Sequence, residues 1–374
     1  MFEVNILVIT PFLPCKGKHG GAAQMFNLWS EFQKQDNVDL HILAHQTDME
    51  LGEEAYTAAV FDSIDIIKVA TPSEWMLKGY IDENAGSKPF FSGEFQKKLG
   101  ELLLMREWDV VILEMQFMMH CAELISQKSS AKIGLIVHES LDIRYKQDPE
   151  MLHDFINYRQ HFFDQLDFLI CFSEEDKASI KWFTKPIYTL SLCVDVEELY
   201  QQERNQSDLM FLGSYGHQPN IDSVNLLLEE VLPLVKEPFT LRVCGSQLTN
   251  ELKDKWQAYP NVKVVGYVED AKLEMAKCTV FVAPIVSGKG VRTKLVEALS
   301  QNTPVVTTSL GMEGIEAKIG TDCFVANSPV ELASAIDQLL LGALVVGKNA
   351  RTAVANHQAE IVASKLTYII ERVV

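Results

Sequence analysis

The stretch "CTVFVAPIVSGKGVRTKLVEALS", residues 278–300, runs from an apolar strand through a glycine loop into an amphipathic helix. "VFVAP" is apolar on both alternating faces, the pattern of a strand covered on both sides in a parallel sheet. "VRTKLVEALS" repeats at helical spacing, with Val291, Leu295, Ala298 and Leu299 on its buried stripe. In open α/β sheets, ligands bind beyond the carboxyl ends of the strands. The loop between these two elements is therefore expected to face a ligand. Backbone N–H groups of the Gly288–Gly290 loop, with the charges of Arg292 and Lys294, suit a phosphate. Glu297, three residues after Lys294, is placed to accept hydrogen bonds from the two hydroxyls of a ribose. An exposed Lys–Glu pair on a solvated helix would explain Lys294 and Glu297, but not the two glycines or Arg292.

The same rhythm extends in both directions. Strands are expected at 4–10, 38–45, 63–70, 109–114, 132–139 and 167–173, then at 208–214, 240–246, 262–268, 278–284, 303–309 and 323–327. Amphipathic helices lie between them, among them "AAQMFNLWSEF" and "NIDSVNLLLEEVLPLV". Strand and helix alternating twice over predict an α/β protein. Its two Rossmann-like, doubly wound parallel-sheet domains would face each other across a cleft. The expected divisions are 1–187 for an N-terminal domain and 188–357 for a C-terminal one, with a hinge near 184–206. A last helix, 358–374, could pack back on the N-terminal domain.

Other strand ends carry weaker signals. "TPFLPCKGKHGGAAQ" follows the first strand, and Gly20 and Gly21 open a helix whose N–H groups could meet an anion. "VHES" puts His138 and Glu139 at a strand end, where histidine could donate a proton or orient a hydroxyl. "FSEED" reads as an N-cap at Ser173 with acidic first-turn residues. "FLGSYGHQPN" leaves a strand through Gly213, Ser214 and Gly216, and Asn220 can cap the helix that follows. "TTSLGMEGI" brackets a turn with Gly311 and Gly314 at the same sheet edge as the 283–297 loop. Each of these corners could also be a turn without a ligand. The aromatics of 71–98, Trp75, Tyr80, Phe90 and Phe91, could cover an acceptor, pack in the core or touch lipid.

The 374 residues exceed one ordinary core, which agrees with two domains. The net charge of −18 is spread over both halves and disfavours nucleic acid as a partner. Membrane association is expected to be peripheral at most, because no run of about 18 apolar residues occurs. The seven cysteines, with no C-x-x-C, fit reduced and buried thiols in the cytoplasm. His41 and His45 lie in a strand-like run without a nearby third ligand, so no metal site is expected.

The assembly "FLGSYGHQPNIDSVNLLLEEVLPLV", then "GYVEDAKLEMAKCTVFVAPIVSGKGVRTKLVEALSQNTPVVTTSLGMEGI", resembles the family 4 glycosyltransferases of the GT-B fold. It is closest to a bacterial branch reading roughly G-x-G-x-R-x-K-x-x-E in the donor site. "TPFLP…GG", "DVVILE", "FSEED" and "KLTYIIERVV" extend the likeness along most of the chain. The resemblance implies a retaining hexosyl transfer from a nucleotide-diphosphate sugar, with neither metal nor cofactor. The acceptor would be a glycan, a lipid-linked glycan or a protein. It implies catalytic roles for His138, Arg292 and Lys294. It also implies donor contacts from Gly20, Gly21, Gly213, Ser214, Gly288, Lys289, Gly290, Glu297, Gly311 and Gly314. Two departures stand out. Lys289 occupies the position where many members carry a sugar-contacting Glu, and Leu192-Cys193 replaces the usual Asn-Gly. A nucleotide-sugar epimerase of the same fold and an inactive nucleotide-sugar-binding subunit are the alternatives.

Overall fold

The computed structural model describes residues 3–16, 20–68, 80–82, 86–88, 90–138, 141–146, 148–196, 199–343 and 349–374. The chain divides into two compact units, Met1–Cys193 with Ala359–Val374, and Val194–Gln358.

The first unit contains β1 (Val4–Thr10), β2 (Val38–Gln46), β3 (Ile64–Lys68), β4 (Tyr80–Asp82), β5 (Gly86–Lys88), β6 (Val110–Glu114), β7 (Lys132–Val137), β8 (Phe168–Cys171) and β9 (Ile187–Thr189). Seven of these form a parallel sheet in the order β3-β2-β1-β6-β7-β8-β9. β4 and β5 make a separate antiparallel hairpin. The central strands are buried on both faces, which is why their sequences are continuously apolar. β9 extends the sheet past residue 187, so the unit ends at Cys193. Helix Gly20–Phe32 buries Met25, Phe26, Trp29 and Phe32, and the C-terminal helix Ala359–Val373 packs against it. Ser173 caps helix Glu174–Ser179, its hydroxyl accepting from the Asp176 amide at 3.0 Å. Phe90 is fully buried and packs on Phe12 and Phe117. Glu139 and Trp75 lie outside the described residues, as does the Tyr80 side chain.

The second unit contains β10 (Asp208–Leu212), β11 (Thr240–Cys244), β12 (Val262–Gly266), β13 (Val280–Ala283), β14 (Val305–Thr307) and β15 (Phe324–Val325). They form a parallel sheet in the order β12-β11-β10-β13-β14-β15. Strand order reverses between β10 and β13, and the first sheet reverses likewise between β1 and β6. Those are the positions where doubly wound sheets open a crevice. The segment expected as one helix after β10 breaks into an α-helix Gln218–Leu226, a π-turn Leu227–Val231 and a 3₁₀ turn Leu232–Leu234. Pro233 lacks an N–H, and its ring crowds the carbonyl four residues earlier, so α-geometry cannot continue there. Among the described residues no helix is long and apolar enough to cross a membrane.

Candidate functional site

At the switch point of the second sheet, the loop after β13 turns on Gly288 and Gly290, with φ of +90° and +88°. These values are in the left-handed region that glycine enters without steric cost. The helix that follows starts at Thr293, later than the apolar stripe predicted, and Val291 is left half-buried in the loop. Its N-cap, Arg292, supplies no side-chain acceptor to the first turn. Helix Gln218–Leu226 after β10, with His217 at its N-cap, also has none. Elsewhere in the unit Thr249, Asp270 and Ser328 cap their helices in the usual way. The two helices flanking the switch point thus begin without a side-chain acceptor, where orphan N–H groups and the helix dipole favour an anion.

Asn220 does not cap its helix as expected. It lies inside the first turn, donates from its amide to the Ser214 carbonyl at 2.8 Å, and accepts from Lys294 Nζ at 2.6 Å. Gly213 makes room for it, since a Cβ there would lie 2.8 Å from the Asn220 side chain. Lys294 Nζ also sits 4.5 Å from the Phe211 ring centroid. Burial, reinforced by the neighbouring Arg292 charge and partly opposed by Glu297, lowers the Lys294 ammonium to about 7. Arg292 donates to the Gly290 carbonyl, which fixes the guanidinium over its own loop. Gly288 lies where a Cβ would be 3.6 Å from Pro219, so this loop rests on the start of helix Gln218–Leu226.

Glu297 stands one turn further along. Its carboxylate makes no hydrogen bond to another described residue. Burial, with the negative charges of Asp195 and Asp270, raises it to about 7 against the attraction of Lys272 and Lys294. Lys272 is paired with Asp195 at 2.9 Å, and Asp270 accepts from Tyr200 Oη and from the Leu273 amide. A carboxylate held with its acceptor capacity unused can take hydroxyl donors from a ligand.

Lys289 pairs with Glu313 at 3.2 Å, joining the glycine loop to the turn after β14. Gly311 and Gly314 shape that turn: the Gly311 amide donates to Thr308 Oγ1, and Gly314 has φ +76°. Ser214 does not present a free hydroxyl, because Oγ donates to Gln247 Oε1 at 2.8 Å.

The sequence pattern carried no sign of a cavity of about 350 Å³ beyond β11 and β12. Gly245, Ser246, Gln247, Val265, Gly266 and Tyr267 are among its lining residues. A register shift between β11 and β12 skips Val265, and the Gly245 amide donates to the Gly266 carbonyl at 2.7 Å. Tyr267 and Val265 are exposed at its edge.

The remaining expected residues belong to the first unit. Gly20 and Gly21 form the first turn of helix Gly20–Phe32, exposed and half-buried respectively. His138 follows β7, next to β6, and its Nε2 lies 2.5 Å from Glu114 Oε2. Trp29 Nε1 donates to the other oxygen of Glu114 at 2.6 Å.

Residues 206–341 match the family model described as glycosyl transferases group 1. No curated protein matches the chain in sequence. Solved structures resemble it over nearly its whole length at low identity. Sucrose-phosphate synthase from Thermosynechococcus elongatus superposes with a TM-score of 0.77 at 13% identity, covering 99% of each chain. HepE of Anabaena, solved with UDP and glucose, gives 0.71 at 13%, covering 99% of this chain and 100% of its own. The pneumococcal O-GlcNAc transferase GtfA, solved with UDP and GlcNAc, gives 0.69 at 14%, covering 99% of each. The chain therefore has the GT-B fold, and its residues 206–341 are similar to the group 1 glycosyl transferases.

Proposed function

We propose that the protein is a retaining glycosyltransferase that moves a hexosyl group from a nucleotide-diphosphate sugar to a hydroxyl acceptor. The observation that carries this reading is the pairing of Lys294 and Glu297 on one helix beyond β13. An anion-ready loop and first turn precede a carboxylate with unused acceptor capacity. Arg292, Lys294 and the amides at Gly288 and Gly290 would hold the diphosphate and stabilise the charge that grows on it as the glycosidic bond breaks. With these cations the leaving group needs no metal ion. Glu297 would hold the ribose. The cavity beyond β11 and β12 would receive the base, with Tyr267 and Val265 supplying apolar surface. Gly213, Ser214, Gly311 and Gly314 set the backbone around the phosphates. In the first unit, Gly20, Gly21 and His138 are the residues proposed to bind substrate. The acceptor would be a glycan, a lipid-linked glycan or a protein, and the reaction would be cytoplasmic.

The structures with bound UDP make UDP and its sugars the first ligands to try. A thermal-shift screen of nucleoside diphosphates, followed by transfer assays with the stabilising donor, tests the reading. Stabilisation by one nucleoside diphosphate that is lost in both Arg292→Ala and Lys294→Ala supports it. Absence of any nucleotide effect overturns it. The Lys289–Glu313 pair favours a second reading, a nucleotide-sugar-binding subunit without transfer, since an ion pair occupies the position expected to read the sugar. Nucleotide binding without hydrolysis or transfer across many donors and acceptors would select it. Epimerised donor in the absence of acceptor would instead select an epimerase.

A further inference from the structure

Glu114 closes β6, is fully buried, and has both carboxylate oxygens occupied. Trp29 Nε1 donates to Oε1 at 2.6 Å, while His138 Nε2 lies 2.5 Å from Oε2. The next residue, Met115, has φ +65° and ψ 148°. A side chain other than glycine is strained there, and such strain collects where a site over-determines the backbone. The strained residue directly follows Glu114, and its amide is tied to the Ile136 carbonyl of β7 at 3.0 Å. His138 is packed edge-on by Phe172, so its ring plane is also set. Its Nδ1 has no partner among the described residues, and His138 lines a shallow depression with Met115, Gln116, Phe117 and Leu141.

We propose that Glu114, clamped by Trp29, is a positioning residue that holds His138 in the Nε2–H tautomer and leaves Nδ1 as an acceptor for a saccharide hydroxyl. The proposal rests on the glycosyltransferase reading for its substrate, but not for its tautomer. A carboxylate offers acceptors only, so the proton between the two groups resides on Nε2, and the neutral ring then has its lone pair at Nδ1. The indole is a donor only, which prevents Oε1 from being replaced by a donor without loss of a buried hydrogen bond.

This asymmetry makes the proposal testable with one isosteric change. In Glu114→Gln the amide oxygen must accept from Trp29, so its NH₂ faces His138 Nε2 and forces the Nδ1–H tautomer. Nitrogen-15 NMR of the histidine ring, at a pH where it is neutral, reads this directly. The Nε2–H form is expected in the native protein and the Nδ1–H form in Glu114→Gln. In Glu114→Gln/Trp29→Phe, where the amide can turn, the Nε2–H form returns in part. An Nδ1–H signature in the native protein overturns the proposal even where no variant folds, as does an unchanged tautomer in Glu114→Gln. In transfer assays kcat of Glu114→Gln falls about a hundredfold, with the donor KM held within about twofold. A change confined to KM overturns the positioning role. If the native protein transfers no sugar, the functional reading fails while the ring spectrum still decides the tautomer.

Discussion

Lys294 Nζ donates to Asn220 Oδ1 at 2.6 Å, and this bond ties the helix after β13 to the helix after β10 across the switch point of the second sheet. Asn220 in turn holds the Ser214 carbonyl, so one amide connects the loop after β10 to the helix after β13. The amide partner of Lys294 is neutral, so a ligand's negative charge would be what favours the charged form of this half-buried amine. Asn220→Ala removes both bonds. Stability should fall by about 1–3 kcal/mol, because one bond involves a charged donor. The affinity for a nucleoside diphosphate should fall about tenfold as Lys294 loses its aim. Denaturant melts and calorimetry measure the two; if neither moves, the cross-connection does no more than fill space.

Binding should also depend on pH in a defined direction. Lys294 is lowered to about 7 in the ligand-free protein, first by burial and then by Arg292. A bound diphosphate favours the charged ammonium, so above pH 7 binding takes up a proton and affinity falls with rising pH. Glu297 is raised to about 7, and ribose hydroxyls favour its carboxylate form. Below pH 7 binding therefore releases a proton, and affinity falls with falling pH. The affinity maximum is expected near pH 7, with each limb approaching about tenfold per pH unit. Lys294→Met should flatten the alkaline limb and Glu297→Gln the acid limb. Limbs that persist in these variants would assign the titrations to other groups.

The sheets were legible in the sequence because burial on both faces writes itself as continuous apolar runs. Each run expected to be a strand, from "VNILVIT" to "CFVAN", contains one. β9 was missed because "IYT" falls within 184–206, the stretch read as the hinge. In the candidate site, the glycine turn was readable because Gly288, Gly290 and Arg292 lie in one contiguous loop. The role of Asn220 was not, since its partner is 74 positions away and its local context imitates a cap. The same holds for Trp29 and Glu114, which read as a helix stripe and a strand end until the sheet joins them across 85 positions. The cavity beyond β11 and β12 depends on a one-residue register shift, which leaves no trace in hydropathy.

That cavity rests on a close backbone approach. Gly245 has φ +139°, and a Cβ there would lie 1.7 Å from the Gly213 carbonyl oxygen. No rotamer relieves a clash with backbone, so the two loops would have to part. Gly245→Ala should cost about 2 kcal/mol or more, combining the strained φ with the lost approach. Thermal melts with and without a nucleoside diphosphate check this. A variant that melts like the native protein and binds normally would show that the loops move apart without cost.

In the proposed donor site, Lys289 would lie between the phosphates and the sugar. Its pair with Glu313 is partly exposed, so breaking it should change stability by no more than about 1 kcal/mol. If Lys289 faces the sugar, Lys289→Ala should leave binding of the free nucleoside diphosphate within about threefold of native while reordering the affinities for its sugars. Lys289→Glu would set a carboxylate beside Glu313, and repulsion between them should further disfavour an acidic sugar. Calorimetry on a panel of neutral, amino and acidic nucleotide sugars, each referred to the free nucleotide, gives the comparison. A uniform loss across the panel, shared by the free nucleotide, would instead make Lys289 a phosphate ligand alongside Arg292 and Lys294.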